Sequence, residues 1–323
     1  MVEIGENVTI AVNLLQAGDL VAIPTETVYG LAGNALNPTA VAKIFTVKNR
    51  PSFNPLITHT NSLEKMLPFV EYLPDMAYRV AEHFWPGPLT ILLPKTSSIP
   101  DIVTAGLSQV AVRIPQHPLT QQLLAALEFP VAAPSANPFG YVSPTQAVHV
   151  AEQLGEKISY VLDGGSCKIG IESTIVGFEE EKTIVYRWGG VSKEELQEVT
   201  GQVVVPAAPS PERVNNPVAP GMLKSHYSPQ REVVVGNISE LLTQYPLEKV
   251  AILSFCDEYP QLSASHQVIL SASGSLNEAA QKLFAALRYL DKLPVAYILT
   301  ELVPDSGLGR AINDRLMRAA ARA

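Results

Sequence analysis

Cysteine is scarce in this sequence. Cys167 and Cys256 are the two in 323 residues, and they lie far apart. A disulfide framework and a zinc site are thereby disfavoured, and the composition fits a reducing, cytoplasmic setting. Charge is sparse too, at 17% Asp, Glu, Lys and Arg with a net charge of -8. An acidic chain feels no general pull toward nucleic acid, and no Lys/Arg block offers a local one. No apolar run approaches the roughly 20 residues that span a bilayer. The opening Met1-Val2-Glu3-Ile4-Gly5-Glu6 lacks the charge pattern of a signal peptide. Several motifs are missing as well. There is no H-E-x-x-H and no G-x-S-x-G. Gly164-Gly165-Ser166-Cys167-Lys168 lacks phosphate-loop spacing. A zincin, an α/β-hydrolase and a P-loop kinase are therefore disfavoured, and no resident metal site is expected.

What the chain does have is apolar content, 47%, in a length that suggests two domains. Over residues 1–200, strands are predicted at 20–23, 55–58, 89–93, 109–114, 130–133, 159–162, 173–178 and 183–187. Helices are predicted at 8–17, 38–47, 62–71, 75–85, 118–128, 143–154 and 192–199. The two types mix without strict alternation, which predicts an α/β domain with a twisted mixed sheet and helices packed on it. Residues 201–231 read as a Pro-rich linker, with prolines at 206, 209, 211, 217, 220 and 229. Residues 232–323 alternate strands (232–236, 250–255, 267–270, 295–300) with helices (238–244, 276–291, 308–322). That pattern predicts a smaller Rossmann-like α/β domain, although no G-x-G-x-x-G follows its first strand.

Chemistry concentrates where apolar runs stop. Leu20-Val21-Ala22-Ile23 gives way to Pro24-Thr25-Glu26-Thr27-Val28-Tyr29-Gly30-Leu31, a strand end feeding a loop. Thr25 and Glu26 suit plain turn chemistry, and Tyr29 suits packing. Asn37-Pro38 reads as a helix N-cap and first turn, and that helix delivers Lys48 and Arg50 just past its end. Lys48-Asn49-Arg50-Pro51-Ser52-Phe53-Asn54 suits an anion, although cations also favour a helix C-terminus for its dipole alone. His59 ends a strand. Arg113 ends another, where a buried guanidinium needs either a carboxylate of the chain or one of a substrate. Ser135-Ala136-Asn137 forms a tight turn after a strand, and Ser143 before Pro144 suits a helix cap. Ser173 opens a strand and Arg187 closes the next. His226-Tyr227 lies in the linker.

PTETVYGL, KNRPSFNPL and ITH, in this order and spacing, resemble the threonylcarbamoyl-AMP synthase family with its YrdC-like fold. SAN, EST(I/V)V, YRxG and HY(S/A)P elements follow at Ser135, Glu172, Tyr186 and His226. The last marks the long form of the family, in which the linker folds over the active-site mouth and a Rossmann-like domain follows. The resemblance implies ATP contacts at Lys48, Arg50, Asn54, Asn137, Ser143, Arg187, His226 and Tyr227. It implies L-threonine contacts at Thr27, His59, Arg113, Ser135 and Ser173. Lys48, Arg50 and His59 would be the catalytic residues, His59 either hydrogen-bonding the substrate or taking the amine's proton.

The implied reaction joins L-threonine, bicarbonate or CO2, and ATP, with Mg2+ arriving on the nucleotide. Its product is an adenylate passed to the machinery that modifies tRNA, and charge gives no support to tRNA contact by this chain. Two other readings compete. One is an RNA-binding module without catalysis, which the acidity disfavours. The other is carbamoyl adenylate formation from carbamoyl phosphate.

Overall fold

The computed structural model describes residues 2–179, 182–208, 217–222 and 226–321. They form two compact units, one of the described residues within 2–139, 144–168 and 172–222, the other of those within 140–143, 169–171 and 226–321. Parts of the expected linker, 209–216 and 223–225, lie outside the described residues, as does residue 322 of the last predicted helix.

The first unit is built on a mixed sheet of eleven strands, ordered β1-β8-β2-β3-β7-β4-β6-β5-β9-β10-β11. In chain order these are β1 (Glu3–Gly5), β2 (Val21–Ile23), β3 (Gly30–Asn34), β4 (Ile57–His59), β5 (Leu89–Pro94), β6 (Gln109–Arg113), β7 (Val131–Ala132), β8 (Tyr160–Leu162), β9 (Thr174–Glu179), β10 (Lys182–Arg187) and β11 (Val203–Pro206). The central strands are apolar and buried, as Val21-Ala22-Ile23 and Leu89 to Leu93 show. Such runs need cover on both faces. Three strands lie outside the expected set. The residues of β3, Gly30-Leu31-Ala32-Gly33-Asn34, have weak strand propensity. Its glycines are there for closeness: a Cβ on Gly33 would sit 2.8 Å from Leu20 Cδ2. β11 pairs in parallel with β10, so its Val203-Val204-Val205 belongs to the sheet and the linker begins later than residue 201. β1 is a short parallel edge on β8.

Helices follow their punctuation. Helix Pro38–Lys48 starts at Asn37, whose side chain accepts from the backbone N–H of Thr39 and Ala40 at 3.0 and 3.3 Å. It ends at Asn49, in the left-handed region at φ 53°. The helix expected over 62–71 breaks into Leu63–Met66 and a 3-10 turn Leu67–Phe69, because Pro68 has no N–H to continue the ladder. The helix expected from Ser143 begins at Ala147 with Gln146 as its N-cap residue, so Ser143 caps no helix.

The second unit carries a four-stranded parallel sheet, β12 (Glu232–Val235), β13 (Val250–Ser254), β14 (Gln267–Ile269) and β15 (Tyr297–Thr300), ordered β12-β15-β13-β14. This is the Rossmann-like arrangement expected. Helix Leu276–Asp291 also holds residues 140–143, which the sequence places in the first domain. Arg288 Nε and Nη2 donate to the carbonyls of Ser143 and Val142 at 3.2 and 2.5 Å. Tyr141 donates its hydroxyl to Asp291 at 2.6 Å.

The cap on helix Pro38–Lys48 is testable. Asn37→Ala leaves two N–H groups without an acceptor and should cost about 1 kcal/mol, read as a lower denaturant midpoint at unchanged slope.

Candidate active site

Within the first unit most of the singled-out residues are linked by hydrogen bonds and short stretches of chain. The run begins at Lys48, which is 1% exposed. Its ammonium donates to the carbonyls of Ser135 and Asn137, both at 2.5 Å. Lys48 thus clamps the Ser135-Ala136-Asn137 turn, and its ammonium is buried where its position past a helix suggests an open side chain. Burial, and secondly the charge of Arg50, push its ammonium well below the ordinary lysine value, while the two carbonyls favour the protonated form. The signal was in the spacing, since Lys48 continues the buried stripe of Val41, Ile44 and Phe45.

Two residues on, Arg50 donates to the carbonyls of Asn54 and Pro55 and, through Nη2, to Asn54 Oδ1 at 2.7 Å. Its guanidinium also lies over the Phe139 ring, 5.8 Å from the centroid. Asn54 is fully buried, and its Nδ2 has no partner among the described residues. An unpaired buried amide is costly, so a donor is held ready there.

The Ser135 turn is fastened to the loop before β3, where Ala136 N–H donates to Tyr29 O at 2.8 Å. In that loop Thr25 does the turn work expected of it. Its hydroxyl donates to Val28 O at 2.6 Å and accepts from Thr27 and Val28 N–H, and it meets the Thr27 hydroxyl at 2.8 Å. Tyr29 does more than pack: its hydroxyl donates to Gly165 O at 2.8 Å and accepts from Gly164 N–H.

Glu26 had read as turn chemistry. It is instead the carboxylate that answers Arg113, with Oε1 2.5 Å from Nη2 and both side chains buried. Its Oε2 accepts from Gln116 N–H at 2.9 Å, and Arg113 Nε donates to Gly87 O at 3.2 Å. Glu26 also lines a cavity of about 780 Å³ with Gln116, His117, Asp163 and Lys168. The available signal was its being the one ionisable group between two threonines directly after a buried strand.

His59 and Arg113 are Cα partners on the parallel strands β4 and β6, so their side chains stand side by side. Burial, then the Arg113 charge, push the His59 imidazole down to about 3, against the carbonyls of Ile57 and Val131. His59 Nδ1 lies 3.1 Å from Ile57 O. A carbonyl only accepts, so Nδ1 carries the neutral ring's proton.

From Gly87 the run continues. Pro88 O accepts from Thr174 N–H, and Glu172 O accepts from Gly190 N–H. Ser173 Oγ meets Thr90 Oγ1 at 2.7 Å. Arg187 donates twice to Ser173 O and once to its Oγ, and Nη1 reaches Pro220 O. Gly189 must be glycine here, because a Cβ would meet Glu172 O at 2.2 Å. Thr90 and Gly87 escaped notice in the sequence, having no cue of their own. Cys167 is no nucleophile: burial, then Glu26, push its thiol up to about 12.

Three expected residues fall in the second unit. Ser143 lends its carbonyl to Arg288, as above. Tyr227, at φ 61°, stacks on Phe284 with ring centroids 5.5 Å apart, the Arg315 guanidinium lies over the Tyr227 ring 5.1 Å from its centroid, and His226 meets that ring edge-on. Among the described residues no cluster of three His, Cys, Asp or Glu could hold a metal ion, and no helix is long and apolar enough to cross a membrane.

The fold and this set of residues define a class, a YrdC-type α/β unit in one chain with a small parallel α/β unit. Residues 13–189 match the family model of Sua5, YciO and YrdC, described as Telomere recombination, and residues 191–321 match the threonylcarbamoyl-AMP synthase C-terminal domain. The chain is 40% identical to the threonylcarbamoyl-AMP synthase of Pyrococcus abyssi, covering 97% of this chain and 93% of that one. It is 38% identical to that of Bacillus subtilis, covering 96% and 92%. The crystal structure of P. abyssi Sua5 complexed with L-threonine superposes with a TM-score of 0.89 at 38% identity, over 99% of this chain and 97% of that one. The chain belongs to the threonylcarbamoyl-AMP synthase family.

His59 gives a prediction with a definite sign. A histidine held neutral in the fold titrates near 6.5 once unfolded, so its contribution is present above pH 6.5 and is lost as pH falls toward 3. Between those limits the wild type should lose about 1.4 kcal/mol more per pH unit than His59→Asn, measured by denaturant unfolding at pH 7 and 5.

Proposed function

We propose that this chain is an L-threonylcarbamoyladenylate synthase, a nucleotidyltransferase that forms threonylcarbamoyl-AMP and pyrophosphate from L-threonine, bicarbonate or CO2, and ATP. The adenylate would serve, in the cytoplasm, as activated donor for the machinery that makes threonylcarbamoyladenosine in tRNA. The observation that carries this reading is the run from Lys48 through Glu26 and Arg113 to Arg187. It ties the cations of Lys48, Arg113 and Arg187 to the Ser135, Glu26 and Ser173 segments in one framework, which supports a site for anionic substrates.

Arg50, Asn54, Asn137 and Arg187 are assigned to ATP. Thr27, His59, Arg113, Ser135 and Ser173 are assigned to threonine. Lys48 acts through the turn it clamps, and its charge, met there only by carbonyls, adds a positive field for phosphates. The threonine amine attacks CO2 to give a carbamate. Starting from the ammonium and bicarbonate, two protons leave nitrogen and one is consumed as bicarbonate dehydrates, so one proton is released net. A carbamate oxygen then attacks the α-phosphorus, and pyrophosphate leaves. His59, pushed down to about 3, is a poor base at neutral pH and serves as a neutral hydrogen-bonding wall. No group of the enzyme bonds covalently to substrate. Alignment does the work, worth roughly 7–11 kcal/mol of barrier in favourable cases. Magnesium would arrive on the ATP phosphates, where it neutralises charge.

The test is pyrophosphate release from ATP. It should require L-threonine and bicarbonate together, fail with glycine, and fall about a hundredfold or more in Arg50→Ala. Release that ignores threonine, or none from folded protein, would refute the reading.

A further inference from the structure

We propose that Glu26 is a positioning residue: it holds Arg113 so that the guanidinium presents its uncommitted edge to the α-carboxylate of the amino-acid substrate, and thereby sets the pocket's preference for a free carboxylate. The inference rests on the reading of this pocket as the amino-acid site.

A guanidinium has five N–H donors in a rigid plane. Arg113 commits Nε to Gly87 O and Nη2 to Glu26 Oε1. Nη1 makes no hydrogen bond to a described residue, which leaves it for a ligand. The plane cannot turn without breaking a bond at 2.5 Å between two buried charges. Glu26 in turn cannot swing, since its second oxygen holds Gln116 N–H and its loop is pinned by Thr25. Glu26 thus does two things. It meets the desolvation demand of a guanidinium that is 4% exposed, so Arg113 stays buried when no substrate is present. It also fills one side of the fork, so that an incoming carboxylate takes the other. His59 beside it is neutral and adds no competing charge. A pocket arranged in this way discriminates by carboxylate, because an uncharged amide leaves the open N–H groups poorly matched.

Binding, not turnover, tests this, by calorimetric titration with L-threonine and with L-threoninamide. Wild type should favour threonine clearly, and Arg113→Ala should erase that preference. Glu26→Gln keeps the shape but removes the charge and one acceptor. It should weaken threonine about tenfold or more while changing threoninamide less than about threefold, and Glu26→Asp should recover part of the loss. Melting temperatures of each variant separate loss of fold from loss of aim. Equal weakening of both ligands, or unchanged threonine affinity, in a folded Glu26→Gln would overturn the inference. Intact discrimination in wild type without any pyrophosphate release would sink the proposed reaction and leave this inference standing. No threonine binding in the wild type would overturn both.

Discussion

The constraint that organises the first unit is the placing of cationic side chains where little water reaches them. Lys48 and Arg113 are almost completely buried, and a buried cation without compensation is among the most costly features a fold can carry. The two are handled differently. Lys48 is met by two carbonyl oxygens, which satisfy its hydrogen bonds and leave its charge in place. Arg113 is met by a carboxylate, which answers its charge and leaves part of its hydrogen-bonding capacity open. The first suits a site that must attract polyanionic phosphates. The second suits one that must read the shape of a single carboxylate.

These groups are held by backbone more than by one another. The carbonyls of Ser135, Asn137, Asn54, Gly87 and Ser173 fix the cations, and all five lie in the loops that precede or follow strands of the sheet. A site made this way pays its reorganisation cost during folding and not at the moment of reaction, which is the condition for electrostatic catalysis without a nucleophile. It also explains why the glycine at 189 lies against backbone, since the segment bearing Ser173 can be placed only if its neighbour has no side chain.

Much of this was legible in the residues. The loop after Ile23, the Asn37 cap and the parallel C-terminal unit all follow from local pattern. What escaped was set by packing between distant segments. β3 is a strand because Gly33 lets Leu20 and Ile44 close on it, not because its residues favour extension. β11 is a strand because β10 offers an unpaired edge. Glu26 and Arg113 are 87 residues apart in sequence, and either could have met a different partner. The burial of Lys48 was readable from helical spacing, but a cation near a helix end invites the simpler account of an exposed, dipole-favoured side chain.

The proposed reaction joins an amino acid, one carbon from bicarbonate and the adenylyl group of ATP in this one site. The most direct measurement is mass spectrometry of the nucleotide product formed with L-threonine, ATP and 13C-labelled bicarbonate. That reaction should yield a threonine-containing adenylate that carries the label between the amino nitrogen and the phosphate. A threonine adenylate without label, or plain AMP from folded enzyme, would contradict it.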